Sequence, residues 1–137
     1  MSSLISKYKI LKDNNLVVQY HEGVLNLSNY IIFAEQLYSD PNYSSNFNHL
    51  ICIRKVTINA SLDDIIKYVK FSKKNFKTPT KRCISVVTNT PSQVVASTLF
   101  KLLQKNITQE VEIFSTSESA LEWLNLEHPL TNDFLEF

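Results

Sequence analysis

The sequence predicts an α/β protein with one mixed, mostly parallel sheet of about five strands and helices packed around it, in the order β-β-α-β-α-β-α-β-α. Three observations predict it. Short β-branched apolar runs alternate along the chain with segments of helical periodicity. The first two runs are separated by little more than Asp13-Asn14-Asn15, turn chemistry that makes them an antiparallel hairpin. And the stretch Lys81–Gln104, KRCISVVTNTPSQVVASTLFKLLQ, reads in one pass as a buried strand, a polar turn and a core-facing helix.

Tyr8-Lys9-Ile10-Leu11 is the first expected strand and Leu16-Val17-Val18-Gln19-Tyr20 the second, with His21-Glu22-Gly23 leaving the hairpin. A helix follows to about Ser39, capped by Asn26 or Ser28, with Tyr30, Phe33, Ala34, Leu37 and Tyr38 on its apolar face. Asp40-Pro41-Asn42 ends it, and Tyr43 to Asn48 is a loop carrying the aromatic anchors Tyr43 and Phe47. His49-Leu50-Ile51-Cys52-Ile53-Arg54 is apolar on both faces through its middle, the mark of a central strand. Thr57 to Ala60 connects it to a helix from Ser61 to about Asn75, with Ser61 and Asp64 as a capping box and Leu62, Ile65, Ile66 and Val69 facing the core. Lys67, Lys70, Lys73, Lys74 and Lys77 make its outer and C-terminal side basic.

In the Lys81–Gln104 unit, Cys83-Ile84-Ser85-Val86-Val87 is the strand. Thr90 is the N-cap, Pro91 suits the first helical position and Gln93 is the capping-box partner. Val95, Leu99, Leu102 and Leu103 recur at helical spacing as its expected core face. Gln109-Glu110-Val111-Glu112-Ile113-Phe114 alternates polar and apolar residues, which predicts a strand near a sheet edge. A last helix begins at Ser115-Thr116-Ser117-Glu118 and packs through Ala120, Leu121, Trp123 and Leu124. Residues 1–126 form one expected domain and 127–137 a tail, in which Phe134, Leu135 and Phe137 could dock on the body or on a partner.

Composition bounds function. At 137 residues the chain can bury roughly two-thirds of its unfolded surface. Fourteen basic residues against 13 acidic ones, a net charge of +1, leave no overall footprint for nucleic acid or an anionic membrane. No apolar run approaches the roughly 20 residues of a membrane span. The N-terminal MSSLISKYKILKDNN lacks a signal peptide's apolar core, and Cys52 and Cys83 sit in strand-like runs, so a reducing cytoplasm is expected. The single glycine, Gly23, excludes glycine-rich phosphate loops, and with them a dinucleotide fold. A phospho-receiver would need an aspartate closing the third strand, where Ile53-Arg54-Lys55 stands.

The opening LVVQYHEGVLNLSNY, the strand HLICIR, the helix SLDDIIKYVKF, the strand CISVVT and the closing FSTSESALEWL together resemble the SpoIIAA-like proteins. These are a largely uncharacterised bacterial family related to the anti-anti-sigma-factor (STAS) fold and to lipid-binding CRAL-TRIO domains. The closing segment is most similar, with Phe114, Thr116, Glu118, Ala120, Trp123 and Leu124 in the family's pattern. In the anti-anti-sigma factors a phosphorylatable serine sits in an Asp-Ser-x-Gly turn before the second helix. Here that turn reads Asn59-Ala60-Ser61-Leu62, without the acid in its place and without the glycine, so the resemblance makes Ser61 the candidate phosphoacceptor and capping is its other role.

No residues assemble a catalytic site. His21, His49 and His128 lack ligand-spaced partners, so no metal is expected, and each reads as a surface or half-buried polar residue. Cys52 in mid-strand is hidden and poorly ionised. What remains is the edge where the parallel strands end and helices begin, collecting Thr57, Asn59, Ser61, Thr88, Asn89, Thr90, Ser92, Ser115 and Thr116. Asn59, Ser61, Thr88, Asn89 and Thr90 are its candidate ligand-binding residues, and helix capping asks for the same residue types. Tyr38, Tyr43 and Phe47 with the Phe134–Phe137 tail are a second candidate surface, for a protein partner, or else loop packing. The resemblance implies a non-enzymatic regulatory or protein-interaction module without a cofactor, acting through a protein partner or self-association, with a small-ligand or lipid carrier as the alternative. The carrier predicts an apolar cavity under the helices.

Overall fold

The computed structural model describes residues 3–75, 81–104, 109–126 and 130. Five strands, β1 (Leu4–Leu11), β2 (Leu16–Leu25), β3 (Asn48–Ile58), β4 (Arg82–Val87) and β5 (Gln109–Phe114), lie in one sheet in the order β1-β2-β3-β4-β5. β1 pairs antiparallel with β2, and every later pairing is parallel. The hairpin turn, Lys12–Asn14, closes on Asn15 in the left-handed conformation that asparagine tolerates.

The parallel strands always step the same way across the sheet. Right-handed crossovers then place the intervening helices on one face. Those helices are α1 (Leu27–Tyr38), α2 (Leu62–Asn75) and α3 (Pro91–Leu103). α4 (Ser117–Leu124) follows the edge strand β5 and covers the opposite face, where Ala120 and Leu124 pack on Leu16, Val18, Leu50 and Val87. On the three-helix face, Val17 meets Phe33 and Leu37, while Ile53, Val56, Ile84, Val86 and Val111 form a second cluster. An irregularity opposite His21 gives β3 one extra residue between Cys52 and Lys55. It switches parity, so Ile51 and Ile53 before it and Val56 and Ile58 after it share one face, consistent with the packing of all four.

The structure corrects several expected boundaries. β2 does not end at Tyr20 but continues through His21, Glu22 and Gly23, with Gly23 at φ +108° where the chain passes the Ser3 carbonyl. β1 begins at Leu4 and β3 runs on to Ile58, so Thr57 is strand rather than connection. The capping expectations hold at Asn26, Ser61 and Thr90, each with a reciprocal bond to the residue three positions on.

The expected core face of α3 is overturned at Val95, Leu102 and Leu103, while Leu99 is half-buried. Val95 and Leu102 are each 58% exposed and Leu103 is exposed too, while Gln93, Ser97 and Phe100 turn inward. Leu62 at the start of α2 is likewise exposed, and Ile65, Tyr68, Val69 and Ser72 take the inner face. The reason is polar chemistry. Gln93 is wanted inside, because its Oε1 accepts from the Asn89 and Thr90 N–H groups while its Nε2 donates to the Arg54 and Val56 carbonyls.

Candidate functional site

The strand ends expected to form a polar site are occupied by caps. The Ser61 hydroxyl accepts from the Asp64 N–H, Thr90 Oγ1 from the Gln93 N–H and Thr116 Oγ1 from the Ser119 N–H. Thr88, which is buried, donates its hydroxyl to the Phe114 carbonyl, the Asn59 N–H goes to the Leu25 carbonyl and the Asn89 N–H to Gln93. Asn59, Ser61, Thr88, Asn89 and Thr90 do not line the cavity beneath the helices, although the neighbouring Ala60 and Asp64 do.

That cavity lies between the sheet and α1–α3 and has a volume of about 150 Å³. Its walls are largely apolar: Leu25, Ile51, Ile53 and Ile58 from the strands, with Ile65 and Phe100 from the helices. Asn26, Leu27, Ala60 and Asp64, all partly exposed, lie where β2 and β3 end. The opposite end, where the parallel strands begin and the helices finish, is polar and buried. There Gln19, His49, Arg82 and Gln109 meet Tyr38 and Ser72.

Sequence reasoning missed this end because its members are scattered through strands that otherwise read as apolar. One chain of hydrogen bonds joins them across all five strands. Ser6 Oγ lies 2.7 Å from His21 Nδ1, His21 Nε2 lies 2.9 Å from Gln19 Oε1, and Gln19 Nε2 lies 3.0 Å from His49 Nδ1. The Tyr30 hydroxyl also donates to Gln19 Oε1. With the Gln19 amide so placed, both histidines carry their proton on Nε2. His49 then faces the Tyr43 hydroxyl at 3.4 Å, which accepts from Arg82 at 3.1 Å. Arg82 Nε and one terminal nitrogen both donate to Gln109 Oε1, at 3.0 and 2.8 Å.

Two expectations about histidine are therefore corrected. His21 and His49 are not surface residues but fully buried, because β2 and β3 both turn them toward the helices. Burial pushes the His21 pKa down to about 3. Burial and then the nearby Arg82 charge push His49 well below its ordinary range. Both are neutral near pH 7. Ser6 and His21 form a serine–imidazole pair, but so weak a base cannot activate a hydroxyl near neutrality. Tyr38, Tyr43 and Phe47 pack against one another around Phe33 and Leu37, which is loop packing and not a free aromatic surface. His128 and the Phe134–Phe137 tail lie outside the described residues. Cys52 is buried, and burial raises the Cys83 thiol above its usual pKa.

Among the described residues no group of three or more His, Cys, Asp or Glu is placed to hold a metal ion, and no helix is long and apolar enough to cross a membrane. By sequence, no protein-family model matches the chain and no curated protein does. By structure, the chain is similar to an uncharacterised protein of the DUF3478 family with a SpoIIAA-like fold from Shewanella loihica PV-4. The TM-score is 0.57 at 17% identity, over 90% of this chain and 95% of that one. The fold is SpoIIAA-like. Within it, the cavity occupies the layer between the sheet and the three helices on one face, while α4 packs on the other face through Ala120 and Leu124.

Proposed function

We propose that this SpoIIAA-like chain is a non-enzymatic binding module whose site is the cavity beneath α1–α3. Its ligand is a small molecule with an apolar body and one polar end. A single observation carries the reading: Gln109 Nε2 is buried with no hydrogen-bond partner at the polar end of a cavity whose other walls are aliphatic and aromatic. A buried donor left unmade costs about 1–3 kcal/mol, a cost that a ligand acceptor would remove. The groups around it support binding over catalysis, since they are a guanidinium, amides, phenols and an imidazole held neutral.

The test is native mass spectrometry of protein purified from its own cells without added ligand, followed by thermal unfolding against small molecules of about six carbons bearing varied head groups. The expected result is a retained small molecule, or a ligand that raises Tm. At a hundredfold excess over Kd the stabilisation is about 2.7 kcal/mol, several degrees for a chain of this size. A bare protein that no member of the panel stabilises would overturn the reading.

A second reading, a STAS-like module acting through a protein contact, is favoured by α3. Val94, Val95, Leu102 and Leu103 leave an apolar stripe in solvent on that helix. The two readings are compatible, because the inner face of α3 contributes Ala96, Ser97 and Phe100 to the cavity.

A further inference from the structure

Resting on the cavity reading, we infer that the ligand is an uncharged carbonyl compound with a body the size of one six-membered ring, its oxygen accepting from Gln109 Nε2. The orientation of that amide follows from its neighbour. Arg82 carries only donors, so the atom that takes its two N–H bonds is the Gln109 oxygen. The amide nitrogen is then turned elsewhere, and it is buried without a partner. Gln109 is only 5% exposed and lines the cavity, so the group that meets this N–H comes from the cavity's occupant. The vacancy asks for an acceptor.

The supply of open donors decides that the acceptor is neutral. Among the described residues, Gln109 Nε2 is the one buried side-chain donor without a partner. The other polar groups at this end serve one another: Arg82 donates to Tyr43 and Gln109, Tyr30 donates to Gln19, and Gln19 is bonded to His49. A single amide N–H satisfies a carbonyl oxygen. A carboxylate brings two oxygens and a full charge out of water, and one open donor replaces little of the hydration it loses. A hydroxyl brings a donor of its own, which needs an acceptor in turn.

Volume decides the body. About 150 Å³ is the size of an engineered apolar cavity that binds benzene. A long acyl chain does not fit inside it, which separates this site from a lipid carrier's. The flanking walls, Ile51, Ile53, Ile84, Val86 and Phe100, suit an apolar ring and offer nothing to a second polar group.

The experiment is isothermal titration of the wild type and of Gln109→Glu with three probes of similar size: cyclohexanone, methylenecyclohexane, in which a CH₂ group replaces the oxygen, and cyclopentanecarboxylate. In the variant a carboxylate oxygen still accepts from Arg82, but an oxygen stands where the open N–H was. The expected result is that cyclohexanone loses at least about tenfold in affinity on Gln109→Glu, as removal of a buried hydrogen bond requires, while methylenecyclohexane changes by less than about threefold. On the wild type the ketone binds at least about tenfold more tightly than the carboxylate. A carboxylate that binds as tightly as the ketone, or a hydrocarbon that loses as much on the substitution, would overturn the inference while leaving the cavity reading standing. None of the three binding, with no other molecule raising Tm, would remove the cavity reading and this inference together. If the variant does not fold, the infrared carbonyl band of cyclohexanone bound to excess wild-type protein decides: a band below its position in hexane is expected, and a band at the hexane position would overturn the inference.

Discussion

Two buried neutral histidines make this protein lose stability in mild acid. The perturbation is a change from pH 7 to pH 4.5. His21 has a folded pKa of about 3 against an ordinary 6.5, so in that interval the unfolded chain takes up a proton that the folded chain refuses. Stability is whole above 6.5 and falls as the pH drops through the window down to about 3. At about 1.36 kcal/mol per pH unit, two units below 6.5 remove about 2.7 kcal/mol through His21. His49, pushed down by burial and then by the Arg82 charge, adds to that loss. The His21 share alone is a substantial part of the 5–15 kcal/mol typical of a domain. Asp40, held low chiefly by the Tyr8 hydroxyl, loses its contribution only as the pH falls below the ordinary 3.8, outside the interval from pH 7 to 4.5. The assay is urea unfolding followed by the fluorescence of Trp123, the single tryptophan, at both pH values. His21→Met is the control: it starts less stable at pH 7, because Ser6 and Gln19 lose a partner, but its loss on acidification is smaller than the wild type's by about 2.7 kcal/mol. A wild type that loses less than about 1 kcal/mol, or a variant with the full acid loss, would refute the reasoning.

Gly23→Ala would place a β-carbon 2.3 Å from the Ser3 carbonyl oxygen at φ +108°, and a loss of about 1–3 kcal/mol or more is expected. An unchanged Tm would show that β1 and β2 do not meet as described. The double change Arg82→Met with Gln109→Leu removes a buried charge together with the amide that accepts two of its hydrogen bonds. It should leave the unliganded protein within about 1 kcal/mol of wild type or more stable, where an arginine required for folding would cost several. Urea unfolding distinguishes the two.

Local chemistry made the fold legible. Asn26, Ser61 and Thr90 announce three helices through their caps, Asp13-Asn14-Asn15 announces the hairpin, and the alternation of Gln109 to Phe114 announces an edge. The orientation of α3 was not legible, because periodicity shows that a helix has an apolar stripe but not that the stripe faces the sheet. Gln93, Ser97 and Gln104 outcompete Val95 and Leu102 for the interior, Gln93 by four hydrogen bonds that no apolar residue could make. The site escaped for a related reason. Gln19, His21, His49 and Arg82 each stand alone within an apolar strand, and only the register, with Val17 opposite His49, His49 opposite Ile84 and Arg82 opposite Gln109, sets them on one diagonal across the helix-facing side of the sheet. The rule that ligands bind where parallel strands end led to the other edge, where the same hydroxyls and amides act as caps.

The position of the polar end has its own physical logic. It lies where α1 and α2 finish, as Tyr38 and Ser72 in its lining show, and helix C-termini carry partial negative charge that favours a buried cation. Tyr43 and Gln109 support Arg82 by accepting from its guanidinium. The chain from Ser6 through both histidines then fixes Tyr43, since His49 can donate only from Nε2 once Gln19 has taken Nδ1. Protonating either histidine would break that order, so acid would disorganise the polar end as well as destabilise the fold. Desolvating a guanidinium costs several kcal/mol, and a sheet that needed only packing would carry an aliphatic side chain there. Departures from local packing rules of this kind are expected where a protein gives up stability for a task. Here the departure is a charge, held in a fixed orientation beside a donor left open, at the end of a space large enough for one ring.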